Sequence, residues 1–185
     1  IYKIVYTNDS LGRRTSARFY DLYGNIVNRR DGVAIKRYEY DKWGNINKLE
    51  YLDSSENYIL NSRLFSKVTS ECDRWGNVVK ERYYGINGEL TYNEDNYAQR
   101  IFELDKNGFL IAVMLLDING ELCVGKEGYA TLYIENDSRG NQIKNSFGGL
   151  SANSCLNAQG FGSIRVEYDR WGYPTHMAFY SWGES

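Results

Sequence analysis

The chain has 185 residues, enough to bury a core, and sets 22 Lys and Arg against 24 Asp and Glu for a formal charge of -2. That balance speaks against a nucleic-acid partner, which calls for a basic excess or stripe. Seventeen Tyr and four Trp beside a single Pro favour strands, and the longest apolar run, Phe109 to Leu116, is strand-sized, so no membrane insertion is expected.

Taken in order, the chain repeats itself. Asn8-Asp9-Ser10-Leu11-Gly12-Arg13 is a turn, and 32 residues on from Asp9 it returns within Tyr38-Glu39-Tyr40-Asp41-Lys42-Trp43-Gly44-Asn45. Further copies run from Ser70 to Asn77, Phe102 to Phe109, Ile134 to Asn141 and Val166 to Tyr173. Self-similarity at one fixed period marks a repeat array. The expectation is one repeat domain over 1–185 of about five and a half 32-residue units, with a sixth beginning at Phe179-Tyr180-Ser181-Trp182-Gly183. The chain opens in mid-repeat with no initiator Met or signal peptide, so it reads as a piece of a longer protein.

Each unit carries two turns of the form D-x-x-G. The first family pairs Asp41 with Gly44, Asp73 with Gly76, Asp105 with Gly108, Asp137 with Gly140 and Asp169 with Gly172. The second runs Asp21 to Gly24, Asp53 to Glu56, Gly85 to Gly88, Asp117 to Gly120 and Gly149 to Ala152. Asp at the first position bonds the backbone two residues on, and Gly at the fourth accepts positive φ. A type I turn closed by a left-handed Gly is a common hairpin connection with a bulge.

Between the turns the apolar residues alternate with period two. One column holds Phe19, Tyr51, Tyr83, Leu115, Phe147 and Phe179, while the adjoining column is polar at Ser16, Lys48, Lys80, Lys144 and His176. Such alternation is a half-buried strand. The longer segment of each unit makes a corner at Asn28 to Gly32, repeated from Asn93, Gly125 and Asn157, and returns as a strand. After the corner comes an aromatic or Val and then a small residue: Val33-Ala34, Phe65-Ser66, Tyr97-Ala98, Tyr129-Ala130, Phe161-Gly162. The small column suits a ring lying close against the backbone, facing the aromatic column. No stretch has helical apolar spacing. The fold class expected is all-β, an elongated array of stacked antiparallel β-hairpins, either β-solenoid-like or a spiral sheet. Its open edge invites edge-to-edge self-association.

The string Y-x-Y-D-x-x-G-N before an aromatic strand resembles the YD repeats of the RHS family. Tyr38 to Asn45 and Val166 to Gly172 carry the resemblance most fully, and it extends over almost the whole chain; WG and MORN-type repeats look similar more loosely. The resemblance implies hairpins wound into a long spiral sheet in bacterial surface or secreted proteins and toxins. Repeats of that kind enclose cargo or mediate contacts and are not themselves catalytic.

Residues with chemistry to offer are few. The Glu column Glu39, Glu71, Glu103, Glu135 and Glu167 either forms a cation-binding ladder or, the plainer reading, pairs across the hairpin with Lys48, Lys80 and Lys144. The turn Asp residues lack the density of a calcium loop, so no metal is expected. Cys123 and Cys155, one period apart, are either a disulfide or two small packed side chains, and Cys72 replaces a Tyr of its column. The lone His176 has no nucleophile placed beside it, so neither an enzyme nor a cofactor is expected. Trp43, Trp75 and Trp171 share one turn position, with Tyr23 analogous in the second family. Each ring either folds back over the neighbouring unit or stands out to meet a protein or carbohydrate partner. The sequence thus predicts a binding or scaffolding module, with a purely structural shell or spacer as the alternative.

Overall fold

The computed structural model describes residues 3–151 and 153–181. Of Phe179 to Gly183, where a sixth unit was expected to begin, Trp182 and Gly183 lie outside the described residues, as does Ala152 of one turn. Two compact units make up the chain, residues 1–94 and 95–185. The first holds β1 (Lys3–Asn8), β2 (Arg14–Tyr20), β3 (Ile35–Tyr40), β4 (Ile46–Leu52), β5 (Lys67–Cys72) and β6 (Val78–Tyr84). The second holds β7 (Gln99–Leu104), β8 (Leu110–Leu116), β9 (Thr131–Asn136), β10 (Gln142–Gly148), β11 (Ser163–Tyr168) and β12 (Pro174–Tyr180). Within each unit the strands pair antiparallel in chain order. The all-β hairpin array expected from the period is what forms, and the described residues contain no helix.

The hairpins follow from the D-x-x-G turns. Asp41 N–H donates to the Asn45 carbonyl at 2.9 Å and Gly44 N–H to the Asp41 carbonyl at 3.1 Å. Gly44 sits at φ +97°. One residue is then unpaired: Tyr40 faces Ile46 and Glu39 faces Lys48, so a bulge follows every such turn.

The corner is a third copy of the same turn. Arg29 N–H donates to the Val33 carbonyl and Gly32 N–H to the Arg29 carbonyl, each at 2.9 Å. It interrupts a strand rather than ending one. Phe19 accepts from Val27 N–H at 2.9 Å and donates to the Ala34 carbonyl at 3.0 Å, so residues on either side of the excursion line the same edge of β2. The pattern recurs where Tyr51 bonds Ile59 and Ser66, and in the second unit where Leu115 bonds Cys123 and Ala130. A 32-residue unit is therefore two strands, two end turns and one excursion. The sequence reading missed the excursion at Asn61 to Leu64, because Leu64 occupies the glycine place and adopts φ 64°.

The core gathers where the excursion returns. Val33, Ala34 and Ile35 are fully buried, and Phe65 is 3% exposed. The Phe65 ring lies between its column neighbours, 5.7 Å from Tyr51 and 4.9 Å from Tyr83. In the second unit Tyr129 meets Phe147 at 5.1 Å and Phe161 meets Phe179 at 4.8 Å. Rings on alternate strands stand roughly 10 Å apart, too far to touch, and the excursion ring fills that gap. The small column does face the aromatic column: Tyr51 N–H reaches the Ser66 carbonyl at 2.8 Å and Phe147 N–H the Gly162 carbonyl at 3.3 Å.

Candidate functional site

At the first-turn ends, Asp41 Oδ1 accepts the N–H groups of Trp43 and Asn45, both at 2.9 Å, and its Oδ2 accepts from Asn45 Nδ2 at 3.0 Å. Asp73 repeats this with Trp75 and Asn77, and Asp169 accepts from Trp171 and Tyr173 N–H. The Asn77 side-chain amide is the strongest influence on Asp73. With the backbone amides of Asn77, Trp75 and Gly76 it outweighs desolvation and holds the carboxyl below its ordinary value. These carboxylates are spent on the turn.

The tips are also locked to one another. Asn45 rests on the next turn, where a Cβ at Gly76 would lie 3.0 Å from Asn45 Oδ1. The Phe109 ring likewise covers Gly140, where a Cβ would come within 2.6 Å of it. Arg139 Nη1 donates to the Arg170 carbonyl at 2.6 Å. In each unit the first turns form a row whose members brace their neighbours.

The aromatic residues stand out from this row. Trp43 is 59% exposed, Trp75 70% and Trp171 67%, and Tyr23 on the second-turn end reaches 87%. The reading in which each ring folds back over the adjoining unit is therefore overturned. What covers the rings instead is the residue before each one. Lys42 Nζ lies 4.2 Å from the Trp43 centroid, the Arg74 guanidinium 4.0 Å from Trp75 and that of Arg170 3.9 Å from Trp171. These are cation–π pairs on rigid turns. The sequence carried the signal as a basic residue ahead of every turn Trp.

The other turn families differ. Second-turn tips read Leu22-Tyr23, Ser54-Ser55, Ile86-Asn87 and Ile118-Asn119, without a cation. Shallow clefts open between first turns in the second unit. One of about 640 Å³ is lined by Asp137, Arg139, Ile143, Val166, Tyr168 and Arg170 among others, and nothing in that set provides a nucleophile beside a base.

The Glu column is paired as structure at four of its five positions, while Glu103 faces Ala112 across its hairpin. Lys48 bonds both Glu39 and Glu50, Lys144 reaches Glu135 at 2.7 Å, and His176 Nδ1 lies 3.4 Å from Glu167. Glu71 faces Lys80 in the register yet pairs with Arg82 at 2.5 Å. All three cysteines are free thiols, which settles the disulfide alternative. Cys123 Sγ contacts the Asn96 carbonyl and Cys155 Sγ the Gly128 carbonyl, each one excursion back. Burial pushes the Cys123 thiol up to about 11, leaving it a poor nucleophile at neutral pH. Among the described residues no three His, Cys, Asp or Glu side chains gather as a metal centre requires.

Fold and row together define a class: a β-hairpin repeat protein with one end of its hairpins carrying cation-capped rings. No protein-family model and no curated protein matches the chain. Among solved structures it is similar to a chain in the Photorhabdus luminescens Tc holotoxin pore, at TM-score 0.50 and 13% identity over 98% of this chain. A chain of the TcdB2–TccC3 crystal structure aligns over 96% of it at TM-score 0.41 and 12% identity. The chain spans 9% and 10% of the lengths of those two proteins. At such identity the likeness is one of fold: this hairpin architecture also occurs within a toxin-complex chain.

Proposed function

We propose that the chain is a non-catalytic segment of an RHS-type hairpin-repeat wall, and that its first-turn row is a contact surface for a protein or glycan partner or for another domain of the parent protein. The likeness in fold to a Tc toxin chain and the Y-x-Y-D-x-x-G-N strings support the wall. The observation that carries the contact role is the exposure of Trp43, Trp75 and Trp171 on turns whose own polar groups are satisfied. Large exposed rings on a fixed scaffold contribute contact area at little entropic cost, which is why Trp dominates interface hot spots. Tyr23 extends the aromatic surface to the second-turn end.

Affinity capture with the wild-type chain beside a folded Trp43→Ala, Trp75→Ala, Trp171→Ala variant tests this reading. A partner held by the wild type and lost by the variant is the expected result. A partner retained equally by both removes the row from recognition. If neither chain holds any partner, the segment is a wall alone.

A further inference from the structure

We infer that Asn87 is a site of spontaneous deamidation, its side-chain amide lost through a succinimide closed by the Gly88 backbone nitrogen, while Asn119 in the same pentapeptide is protected by its turn. The chain writes Ile-Asn-Gly-Glu-Leu twice, as Ile86 to Leu90 and as Ile118 to Leu122. Each copy forms the tip of a second turn, and Asn87 and Asn119 are both exposed. An Asn followed by Gly is open to this chemistry because the glycine has no side chain to hinder the attacking nitrogen. With the neighbours identical, any difference in rate comes from the residue that begins the turn, Gly85 in one copy and Asp117 in the other.

Asp117 Oδ1 accepts the N–H groups of Asn119 at 2.8 Å and Glu121 at 2.9 Å, and its Oδ2 accepts from Asn119 Nδ2 at 3.3 Å. These bonds fix the Asn119 backbone and hold its side-chain amide back toward residue 117, away from Gly120. Asp105 does the same for Asn107, which also precedes a glycine. The turn at Gly85 has no carboxylate of this kind and closes through Gly85 N–H to the Glu89 carbonyl at 2.9 Å and Gly88 N–H to the Gly85 carbonyl at 3.3 Å. Other features of the two turns match. Ser66 Oγ braces the Gly85 carbonyl at 2.6 Å, as Gln99 Nε2 braces that of Asp117 at 3.0 Å. The Glu89 carboxylate fills the space that a Cβ on Gly85 would need, so a negative charge stands near both turns. Among the described residues, however, Glu89 takes no hydrogen bond from Asn87.

Ring closure requires the turn to open. A type I turn holds its third residue at ψ of about 0°, which swings the side-chain carbon away from the following nitrogen. Once the turn at Gly85 opens, the Gly88 nitrogen gives up its proton and attacks Asn87 Cγ. A C–N bond forms, the bond from Cγ to Nδ2 breaks, and ammonia leaves. Water then opens the imide at either carbonyl, giving aspartate or isoaspartate. Opening at Asp117 must break the carboxylate's bonds as well, and bonds to a charged acceptor are the stronger kind.

Peptide mapping of the whole chain, held folded at mildly alkaline pH, follows each Asn through its conversion to acid. Asn87 should convert about ten-fold faster than Asn119 or more, with isoaspartate among its products. In urea the two pentapeptides should convert at the same rate, since only the fold separates them. Gly85 lies outside the left-handed region, so Gly85→Asp is accommodated once the Glu89 side chain moves aside, and it should slow Asn87 to the rate of Asn119. Asp117→Gly should speed Asn119 in turn. Equal rates in the folded wild type overturn the proposal without recourse to any variant. A difference that persists in urea overturns it as well, because the cause would then lie outside the turn. Aspartate without isoaspartate overturns the succinimide route.

Discussion

The two ends of each hairpin use one backbone solution for different purposes. At both ends an Asp oxygen gathers the amides two and four residues on, as Asp73 does with Trp75 and Asn77 and Asp53 with Ser55 and Asn57. At the first-turn end the turns then pack on one another, through Asn45 against Gly76 and Phe109 against Gly140. At the second-turn end Gly24 and Gly88 have open space around them. A turn satisfied by its own Asp leaves the two tip positions free of structural duty. Three of the first turns fill them with a cation and a ring, at Lys42-Trp43, Arg74-Trp75 and Arg170-Trp171, while the second turns carry Leu, Ile, Ser, Asn or Tyr.

The largest effect expected separates the core ring from the tip ring. Phe65→Ala removes the ring between Tyr51 and Tyr83 and should cost about 3–5 kcal/mol in urea unfolding. Trp75→Ala should cost about 0.5 kcal/mol or less, as exposed substitutions do. Similar losses for the two would mean that the tip ring is structural after all.

Next in size is the contrast between the two ends. Gly140 and Gly24 share a left-handed φ, +88° and +87°, but only Gly140 faces a ring. Alanine at Gly24 should cost about 1 kcal/mol for the conformation alone. At Gly140 the clash with Phe109 should raise that to about 2–3 kcal/mol. Equal costs, read from chemical denaturation, would mean that the contact between Phe109 and Gly140 does not brace that turn.

The smallest contrast is in acid. Asn77 holds Asp73 down, and at the other end Asn57 does the same for Asp53, chiefly through its backbone amide. A carboxyl depressed in the folded state stabilises above its ordinary value, and that contribution disappears as pH falls through the depressed one. Stability should thus decline below the ordinary carboxylate range at both ends alike. Asp73→Asn and Asp53→Asn should each flatten the acid limb of a stability–pH curve by a similar amount, and flattening by only one of them would show that the ends differ in their turns as well as in their tips.

Much of this was legible in the sequence because the repeat places equivalent residues in columns. The D-x-x-G turns, the aromatic strand column and the small column that receives it all follow from residue type and period. Leu64 hid one turn, since only the backbone reveals that a Leu has taken a glycine's φ. The excursion read as a corner because pairing on both of its sides, by Val27 and by Ala34 with Phe19, is a long-range fact. At the candidate site the rings were found by position, but their exposure was not. Whether a tip ring folds back depends on what its neighbours leave uncovered, and here Asn45 lies against the turn of Trp75 and Asn141 against that of Trp171.

The most direct test of the exposed, cation-capped rings is collisional quenching of tryptophan emission by iodide and by caesium, wild type against the Trp43→Ala, Trp75→Ala, Trp171→Ala variant. The difference between the two proteins isolates the tips. Strong quenching by iodide and weak quenching by caesium is expected, because Lys42, Arg74 and Arg170 lie over the rings and attract the anion. A difference spectrum that neither ion quenches would mean buried rings and would contradict the account.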